Sequence, residues 1–337
     1  MTVRIGINGF GRIGRSYLRA ALQSQADLEI VAINDITDAA TLATLLEWDS
    51  ISGHLDGVRV DGADDHGESI IVGERRIRVF SEREPERIGW KESDVDVVLE
   101  STGRFASLDG ARRHLEAGAH KVILSAPASG DVPAVVLGVN DADIDLTGEV
   151  FSNGSCTTNC LAPMAKVLHD TFGIESGLMT TIHAYTSDQR LHDAPHGDLR
   201  RARAAAMSTI PTSSGAAKTI GKIIPELDGR LTGLALRVPV PVGSVTDLTA
   251  RLSRPATVAE VNEAFRAAAA TAPLAGYLQY SEAPLVSADI VGNPPSAIFD
   301  APLTQVVGDQ VKIFAWYDNE WGFSNRLVEL SERLGAR

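Results

Sequence analysis

The stretch Val3–Arg15, which reads VRIGINGFGRIGR, decides the fold of the first part of the chain. Its apolar start predicts a β-strand, and the three glycines that follow have the spacing G-x-G-x-x-G. A helical pattern then runs over Arg15–Gln23, and a second apolar run, Leu28–Ile33, predicts the next strand. Strand, glycine turn, helix and strand within about 30 residues form the dinucleotide-binding unit of an open α/β sheet. The N-terminal part is therefore predicted to be a Rossmann-type domain.

Asp35 indicates which class of ligand the glycine turn binds. It follows the second strand and lies 21 residues after the third glycine, Gly14. The glycines allow the backbone to approach a pyrophosphate, and the Asp35 carboxylate can accept from the 2′-hydroxyl of an adenosine ribose. Because a 2′-phosphate would meet Asp35 as a like charge, the sequence favours NAD over NADP. A βαβ turn with a purely structural role is the alternative.

Composition and charge narrow the function classes. The 337 residues suggest two domains, and a hydrophobic content of 44% is typical of a globular protein. With 31 Lys and Arg against 44 Asp and Glu, the net charge of −13 argues against nucleic acid or an anionic membrane as the main partner. No apolar run is long enough for a membrane span and no secretion signal opens the sequence. A cytoplasmic protein with small-molecule or subunit partners is expected.

The order of predicted strands and helices along the chain indicates two domains with different architectures. Alternation of strands and helices continues to about residue 150, with strands expected around Val58, Ile70, Ile77–Phe80, Val95–Glu100, His120–Leu124, Ala134–Val139 and Val150–Asn153. Longer strands then follow without a helix between each pair, at Gly177–Ala184, Leu231–Val240, Val245–Leu252 and Val311–Tyr317. Such runs predict an α+β domain with a mixed or antiparallel sheet, after a first domain of the α/β class.

The two cysteines, Cys156 and Cys160, are spaced neither as a redox Cys-x-x-Cys pair nor as half of a zinc site, so no metal is predicted. Cys156 opens a predicted helix, where the helix dipole and nearby cations are expected to lower the pKa of its thiol and make it a nucleophile. A small buried cysteine explains Cys156 about as well, and explains Cys160 better. His183, near the end of a strand, is a candidate base, although a lone histidine on an apolar strand more often belongs to the core.

Hydroxyl groups and one arginine lie close in sequence to these candidates. Together with helix N-termini they suit phosphate oxygens, although helix caps and surface ion pairs explain each of them equally well. They are Ser155, Thr157, Thr186, Ser213, Ser214 and Arg237.

Five blocks together resemble phosphorylating glyceraldehyde-3-phosphate dehydrogenase, and the resemblance covers essentially the whole chain in order. The block Ser155–Pro163, SCTTNCLAP, is the most specific of them. The others are Asn8–Arg15, Leu199–Ala206, Ala235–Pro239 and Trp316–Gly322.

The resemblance implies a covalent mechanism in which Cys156 is the nucleophile and His183 is its base and ion-pair partner. The thiolate adds to the aldehyde of D-glyceraldehyde 3-phosphate, hydride passes to NAD, and inorganic phosphate attacks the resulting thioester to give 1,3-bisphosphoglycerate. This is a step of glycolysis and gluconeogenesis.

The resemblance also assigns binding roles. The substrate phosphate is expected at Thr186 and Arg237, and the attacking phosphate at Ser155, Thr157, Ser214 and Gly215. Residues 188–203 resemble the loop that packs against a neighbouring subunit's cofactor, which implies a homotetramer. The first domain is expected to span 1–155 and the catalytic domain 156–320, with the closing helix 321–337 returning to the first. The residues expected to bind the cofactor are Asn8, Gly9, Phe10, Gly11, Arg12, Ile13, Asp35, Ser101, Thr102, Ser125 and Asn319.

Four positions depart from the common pattern of that family. Gly154 replaces the usual Ala, Ser214 the usual Thr and Phe323 the usual Tyr, while Ala194 resembles relatives that tolerate NADP. The changes around the site suggest a specialised paralogue that is less sensitive to an electrophilic inhibitor of Cys156. Two other functions stay open: erythrose-4-phosphate dehydrogenase, which makes an acid instead of an acyl phosphate, and a non-catalytic, RNA-associated or scaffolding role.

Overall fold

The computed structural model describes residues 2–64 and 67–335 and divides the chain into two compact units. The first comprises Met1–Ala134, Ile144–Asn153 and Ser324–Arg337, and the second Val135–Asp143 and Gly154–Phe323. The transitions near residues 153 and 323 lie within three residues of the predicted ones. The sequence did not indicate that Val135–Asp143 belongs with the second unit. Of the closing segment expected at 321–337, residues 336 and 337 lie outside the described residues.

Up to residue 153, the described residues of the first unit form ten strands and three helices. They are β1 (Val3–Asn8), α1 (Arg12–Gln23), β2 (Leu28–Asn34), α2 (Ala39–Glu47), β3 (Trp48–Asp49), β4 (Gly53–His54), β5 (Val58–Asp64), β6 (Gly67–Val72), β7 (Arg75–Phe80), β8 (Val97–Glu100), α3 (Leu108–Glu116), β9 (Lys121–Leu124) and β10 (Val150–Ser152).

Eight of these strands form one sheet in the order β10-β9-β8-β1-β2-β7-β6-β5, and β3 pairs with β4 separately. The pairs from β10 to β7 are parallel, and β7, β6 and β5 are antiparallel. Because the parallel strands share a direction, the carboxyl ends of β1, β2 and β8 meet at one edge, where ligands bind in open α/β sheets. The predicted Rossmann-type domain is confirmed.

The described part of the second unit has three helices and eight strands, and the chain ends with a seventh helix whose residues from Ser324 onward belong to the first unit. They are α4 (Cys156–Phe172), β11 (Ile174–Ala184), β12 (Ile210–Ser213), α5 (Ala216–Ile223), β13 (Leu231–Val238), β14 (Ser244–Leu252), α6 (Val258–Ala270), β15 (Leu278–Ser281), β16 (Ala297–Asp300), β17 (Gln305–Val307), β18 (Gln310–Tyr317) and α7 (Trp321–Gly335).

The sheet of the second unit is mixed, as predicted. Its order is β12-β13-β11-β14-β18-β16-β15, with β17 on β18. The pairs β11/β13 and β15/β16 are parallel and the others antiparallel. The buried helix α4 begins at Cys156, directly after Ser155, whose hydroxyl accepts from the Thr158 N–H. This places the predicted nucleophile at the N-terminus of a helix.

The strand predicted at Ala134–Val139 is wrong. Only an isolated bridge joins Ala134 to Ser152, and the residues that follow form turns, closed where Asn140 Oδ1 accepts from the Val136 N–H at 2.8 Å. Val135, Val136 and Leu137 are nonetheless fully buried. The apolar side chains of this segment indicate that it is buried. A short apolar run does not by itself distinguish a buried strand from a buried turn.

Within the described parts of the chain, none of the helices combines the length and apolarity that a membrane span requires. Those parts also contain no cluster of three His, Cys, Asp or Glu side chains that could hold a metal ion.

Candidate active site

The glycine turn between β1 and α1 has the shape that a dinucleotide requires. Gly9 has φ +92°, and a Cβ there would lie 2.8 Å from the backbone nitrogen of Thr102. A Cβ at Gly14 would lie 2.3 Å from the carbonyl oxygen of Gly9, so the helix can start this close to the turn only with glycine. At Gly11, the residue preceding α1, a Cβ would meet nothing within 4 Å. The turn therefore has tight internal packing and an open face before a helix N-terminus, which fits a pyrophosphate.

Neighbouring strand ends hold this turn in place. Asp35 Oδ2 accepts from the Phe10 N–H at 2.8 Å, and the Ser101 hydroxyl donates to the Gly9 carbonyl at 2.7 Å. The Arg12 guanidinium pairs with Asp49. Asp35 lies beside the turn, where the sequence predicts contact with a ribose hydroxyl.

Three further residues predicted to bind the cofactor have side chains with hydrogen bonds to protein groups. Asn8 is 2% exposed, and its amide nitrogen donates to Glu100 at 2.6 Å while its oxygen accepts from Asn34 at 2.8 Å. The hydroxyl of Thr102 also donates to Glu100. Ser125 donates to the Glu100 carbonyl at 3.0 Å. These side chains stabilise the loop that would contact a cofactor.

In the second unit, the structure brings Cys156 and His183 together. The Cys156 Sγ and the His183 Nε2 are 3.4 Å apart, within hydrogen-bonding reach for sulfur. His183 lies one residue before the end of β11 and is 4% exposed, with its ring edge-on to Tyr317. Sequence spacing could not show this proximity. It favours the nucleophile and base over two unrelated core residues.

The expectation that Cys156 has a lowered pKa is wrong for the unliganded chain. Burial raises the pKa of the Cys156 thiol, and this outweighs the lowering by Arg237 and by the Thr157 N–H. Burial and the Arg237 guanidinium lower the pKa of His183 to about 3. Removing a charge from water is unfavourable whatever its sign, so both groups favour their neutral forms. Both shifts act against the ion pair that the resemblance implied.

The Arg237 guanidinium and the Ala184 carbonyl both approach the same imidazole nitrogen, His183 Nδ1. Its Nη1 lies 2.5 Å from His183 Nδ1, and the carbonyl oxygen of Ala184 lies 2.7 Å from that same nitrogen. A guanidinium can only donate and a carbonyl oxygen can only accept, so the two contacts require opposite states of Nδ1: without a proton it accepts from Arg237, and with a proton it donates to Ala184. When Arg237 moves away, Nδ1 can carry a proton and donate it to Ala184. His183 thus has two hydrogen-bonding states.

Tyr317 is a site residue to which the sequence analysis assigned no role. Its hydroxyl is fully buried between Thr157 Oγ1 at 2.8 Å and Thr181 Oγ1 at 2.7 Å. The predicted phosphate ligand Thr157 is therefore already hydrogen-bonded in this structure. Tyr317 belongs to the block Trp316–Gly322 that carries the family resemblance, which was the available signal.

The register of β12 and β13 separates two of the remaining candidate anion ligands along the sheet. In the pairing of β12 with β13, Ile210 is opposite Arg237 but Ser213 is opposite Leu234. Three residues along a strand correspond to roughly 10 Å, so Ser214 and Gly215, which follow β12, start from a different level of the sheet than Arg237. Ser214 Oγ accepts from the first N–H of α5 at 3.3 Å. Thr186 follows β11 and donates its backbone N–H to Gln189.

Asn319 is held by its amide oxygen, which accepts from the Gly243 N–H at 3.2 Å and from the Ser244 hydroxyl at 2.9 Å. These contacts orient the side chain and direct its amide nitrogen away from them.

Cys160 is fully buried in α4 beside Met164 and the Ala315 carbonyl, and burial raises its pKa to about 12. It has the environment of a core residue.

A dinucleotide-binding unit, followed by a unit with a cysteine at a helix N-terminus beside a histidine, defines a class of two-domain nucleotide-dependent proteins. Residues 3–108 match the family model described as glyceraldehyde 3-phosphate dehydrogenase, NAD binding domain, and residues 155–319 match that of its C-terminal domain. The chain belongs to the glyceraldehyde 3-phosphate dehydrogenase family, and NAD is the cofactor of its first unit.

Curated relatives match over nearly their whole length. Glyceraldehyde-3-phosphate dehydrogenase 2 of Streptomyces arenae is 58% identical over 338 residues, which cover 100% of this chain and 99% of the relative. Glyceraldehyde-3-phosphate dehydrogenase of Mycobacterium tuberculosis (strain ATCC 25618 / H37Rv) is 58% identical, with 99% of each chain covered.

Proposed function

We propose that this protein oxidises and phosphorylates D-glyceraldehyde 3-phosphate to 1,3-bisphosphoglycerate with NAD and inorganic phosphate, in glycolysis or gluconeogenesis. The observation that carries the proposal is the 3.4 Å approach of Cys156 Sγ to His183 Nε2, at the start of a helix, in a chain of this family. The relatives named above carry the glyceraldehyde-3-phosphate name, and no observation favours erythrose 4-phosphate.

Substrate binding converts the resting pair into a nucleophile and a base. The substrate phosphate recruits Arg237, with Thr186 as a further ligand, and so withdraws the guanidinium from His183 Nδ1. Because Arg237 lowers the pKa of His183, its neutralisation by the phosphate makes the imidazole more basic. With its own proton on Nδ1 and donated to Ala184, His183 accepts the Cys156 thiol proton at Nε2.

The Cys156 thiolate attacks the carbonyl carbon and forms a thiohemiacetal. Its oxyanion is stabilised by the Cys156 backbone N–H and by protonated His183. Protonated His183 gives its proton to the oxyanion to form the hydroxyl. Neutral His183 then takes that proton back as the carbon is oxidised to a thioester, and NAD, when bound, supplies the hydride acceptor. Inorganic phosphate then attacks the thioester carbon, the carbon–sulfur bond breaks, and the acyl phosphate leaves with the thiolate regenerated.

The attacking phosphate binds apart from the substrate phosphate, at Ser155, Thr157, Ser214 and Gly215. The separation of Ser214 from Arg237 along β13 supports two anion sites. In the reaction, Asn319 uses its amide nitrogen to hold the nicotinamide carboxamide, and the contacts of its oxygen with Gly243 and Ser244 support that orientation.

The direct test is reduced-cofactor formation by the purified protein with glyceraldehyde 3-phosphate, with and without inorganic phosphate. We expect turnover with NAD that depends on phosphate and weaker turnover with NADP, since Asp35 repels a 2′-phosphate while Ala194 resembles NADP-tolerant relatives. Turnover that is indifferent to phosphate, or that appears only with erythrose 4-phosphate, would contradict the proposal. Salt-sensitive RNA binding without turnover would support the non-catalytic role instead.

We also propose that the protein is a cytoplasmic homotetramer. The support is the family resemblance of residues 188–203. Three large apolar side chains, Leu191, Leu199 and Met207, are 74–81% exposed in and just beyond that irregular segment. Exposed apolar side chains of this size are typical of a surface that another subunit covers.

The departure at Gly154 supports the proposal of a specialised, inhibitor-tolerant paralogue. Gly154 has φ +66°, which alanine rarely adopts, and a Cβ there would lie 3.1 Å from a Thr158 side-chain carbon. An alanine at this position would be strained in the present backbone, which leads directly into Cys156.

We expect the double variant Gly154→Ala, Ser214→Thr to be inactivated faster than the parent by a thiol-directed epoxide. Inactivation rate constants at one pH measure this. Gly62→Ala is the matched control, because a Cβ there meets nothing within 4 Å. Equal rates for the parent and the double variant would refute the specialisation.

A further inference from the structure

A buried carboxylate lies beneath the dinucleotide turn of the first unit, and the proposed reaction does not use it. Glu100 is the last residue of β8 and is 2% exposed. Its Oε2 accepts from Asn8 Nδ2 at 2.6 Å and faces His114 Nε2 at 3.1 Å. Its Oε1 accepts from the backbone N–H of Thr102 at 2.8 Å and from the Thr102 hydroxyl. Four hydrogen-bonding groups thus converge on one buried side chain.

The direction of each hydrogen bond follows from the chemistry of the partners. Trp90 Nε1–H, which can only donate, lies 3.0 Å from His114 Nδ1. His114 Nδ1 is therefore an acceptor, so its proton is on Nε2 and is donated to Glu100. A neutral histidine, two amide groups and a hydroxyl all donate, and an ionised carboxylate is the one side chain of this size that accepts from all four. Trp90 and His114 are both 0% exposed, so this side of the network lies in the core of the unit.

The hydrogen-bond network of Glu100 ends at two residues beside Gly9, the first glycine of the turn. Asn8 immediately precedes Gly9, and a Cβ at Gly9 would lie 2.8 Å from Thr102 on its other side. Asn8 continues the network to Asn34 at the end of β2. Glu100 thus connects the carboxyl ends of three neighbouring strands, at the edge where the turn has its open face.

We propose that Glu100, oriented by His114 and Trp90, is a positioning residue for NAD: it holds Asn8 and Thr102, and through them the turn whose backbone receives the pyrophosphate. The proposal rests on NAD binding by the first unit and is independent of the chemistry at Cys156. Misplacing such a turn weakens binding without altering a reacting group, because the energy of oriented N–H donors depends steeply on distance and angle.

Glu100→Gln tests this directly. A glutamine amide offers one acceptor oxygen and brings two donors of its own, so at least one partner faces a donor in every orientation. We expect the Kd of NAD, measured by calorimetry on the full chain, to rise at least about tenfold, with kcat at saturating NAD within about threefold of the parent. The rate of Cys156 alkylation without NAD should not change, because Cys156 belongs to the second unit.

Tyr17→Phe is the matched control for loss of a buried hydrogen bond in the same unit. The Tyr17 side chain is 0% exposed, and its hydroxyl donates to Ser331 at 2.8 Å and not to the glycine turn. We expect this variant to lower the unfolding temperature and leave the Kd of NAD unchanged. The positioning role is refuted if Tyr17→Phe weakens NAD binding as much as Glu100→Gln does. It is also refuted if Glu100→Gln leaves the Kd of NAD within twofold of the parent value.

His114 provides a second pair of variants in case Glu100→Gln does not fold. His114→Gln keeps a donor toward Glu100, whereas His114→Leu keeps only apolar bulk. We expect the glutamine variant to bind NAD nearly as the parent does and the leucine variant several-fold more weakly. Equal affinities for these two variants would overturn the proposal.

Discussion

Replacing Cys156 with serine should abolish phosphate-dependent reduction of NAD, with a loss of at least about 10³-fold in kcat. A serine hydroxyl at this position keeps the helix start but is a far weaker acid than a thiol, and burial raises the pKa of Cys156 already. His183, whose pKa is about 3, is too weak a base in the resting state to ionise such a hydroxyl. The measurement is initial-rate cofactor reduction with glyceraldehyde 3-phosphate, NAD and phosphate all saturating.

Cys160→Ala is the matched control, since it removes the other thiol of the chain. Cys160 is buried between Met164 and a backbone carbonyl, so its loss should cost stability and leave kcat within about threefold. Full activity in Cys156→Ser, or inactivity in a folded Cys160→Ala, would mean that the wrong cysteine has been assigned. Circular dichroism and the thermal unfolding transition of the full chain show whether each variant is folded.

Replacing His183 with asparagine should lower kcat by about 10²- to 10⁴-fold, the usual contribution of a positioned acid–base group. Asparagine keeps a polar group at the end of β11 but cannot take the proton from the thiohemiacetal hydroxyl. The Km for NAD should change little, because His183 is not among the residues expected to bind the cofactor. A loss confined to Km, with kcat intact, would assign His183 a binding role and not a catalytic one.

The pH dependence of alkylation by iodoacetamide separates the neutral resting pair from an ion pair. Because the pKa of Cys156 is raised and that of His183 is lowered, the thiolate fraction of the free enzyme should fall about tenfold for each unit from pH 8 to pH 6. An imidazolium–thiolate pair would instead give a plateau in that range, since its thiol would already be ionised. Observing a plateau would contradict a neutral resting pair, and His183→Asn would then abolish it.

The fold of the first unit could be predicted because its signals are local. Strand, glycine turn and helix over 3–23 follow from apolar periodicity and from glycines that tight packing requires, and the structure places them as expected. The mixed sheet of the second unit also follows from the spacing of its strands. The exception, Ala134–Val139, shows the limit: its apolar residues are buried in turns, because burial selects apolar side chains whatever the backbone does.

Some features of the candidate site could also be predicted from the sequence, whereas others depend on the tertiary structure. The sequence by itself determined the family, the dinucleotide turn, and the candidacy of Cys156 and His183, because these depend on residue types at fixed spacings. Only the tertiary structure decided that the two groups lie 3.4 Å apart, that both favour their neutral forms, and that Asn8 binds Glu100. The physical reason is that pKa values and hydrogen-bond partners depend on burial and on charges from strands far apart in sequence. Arg237 acts on His183 across paired strands, and no local pattern records that contact.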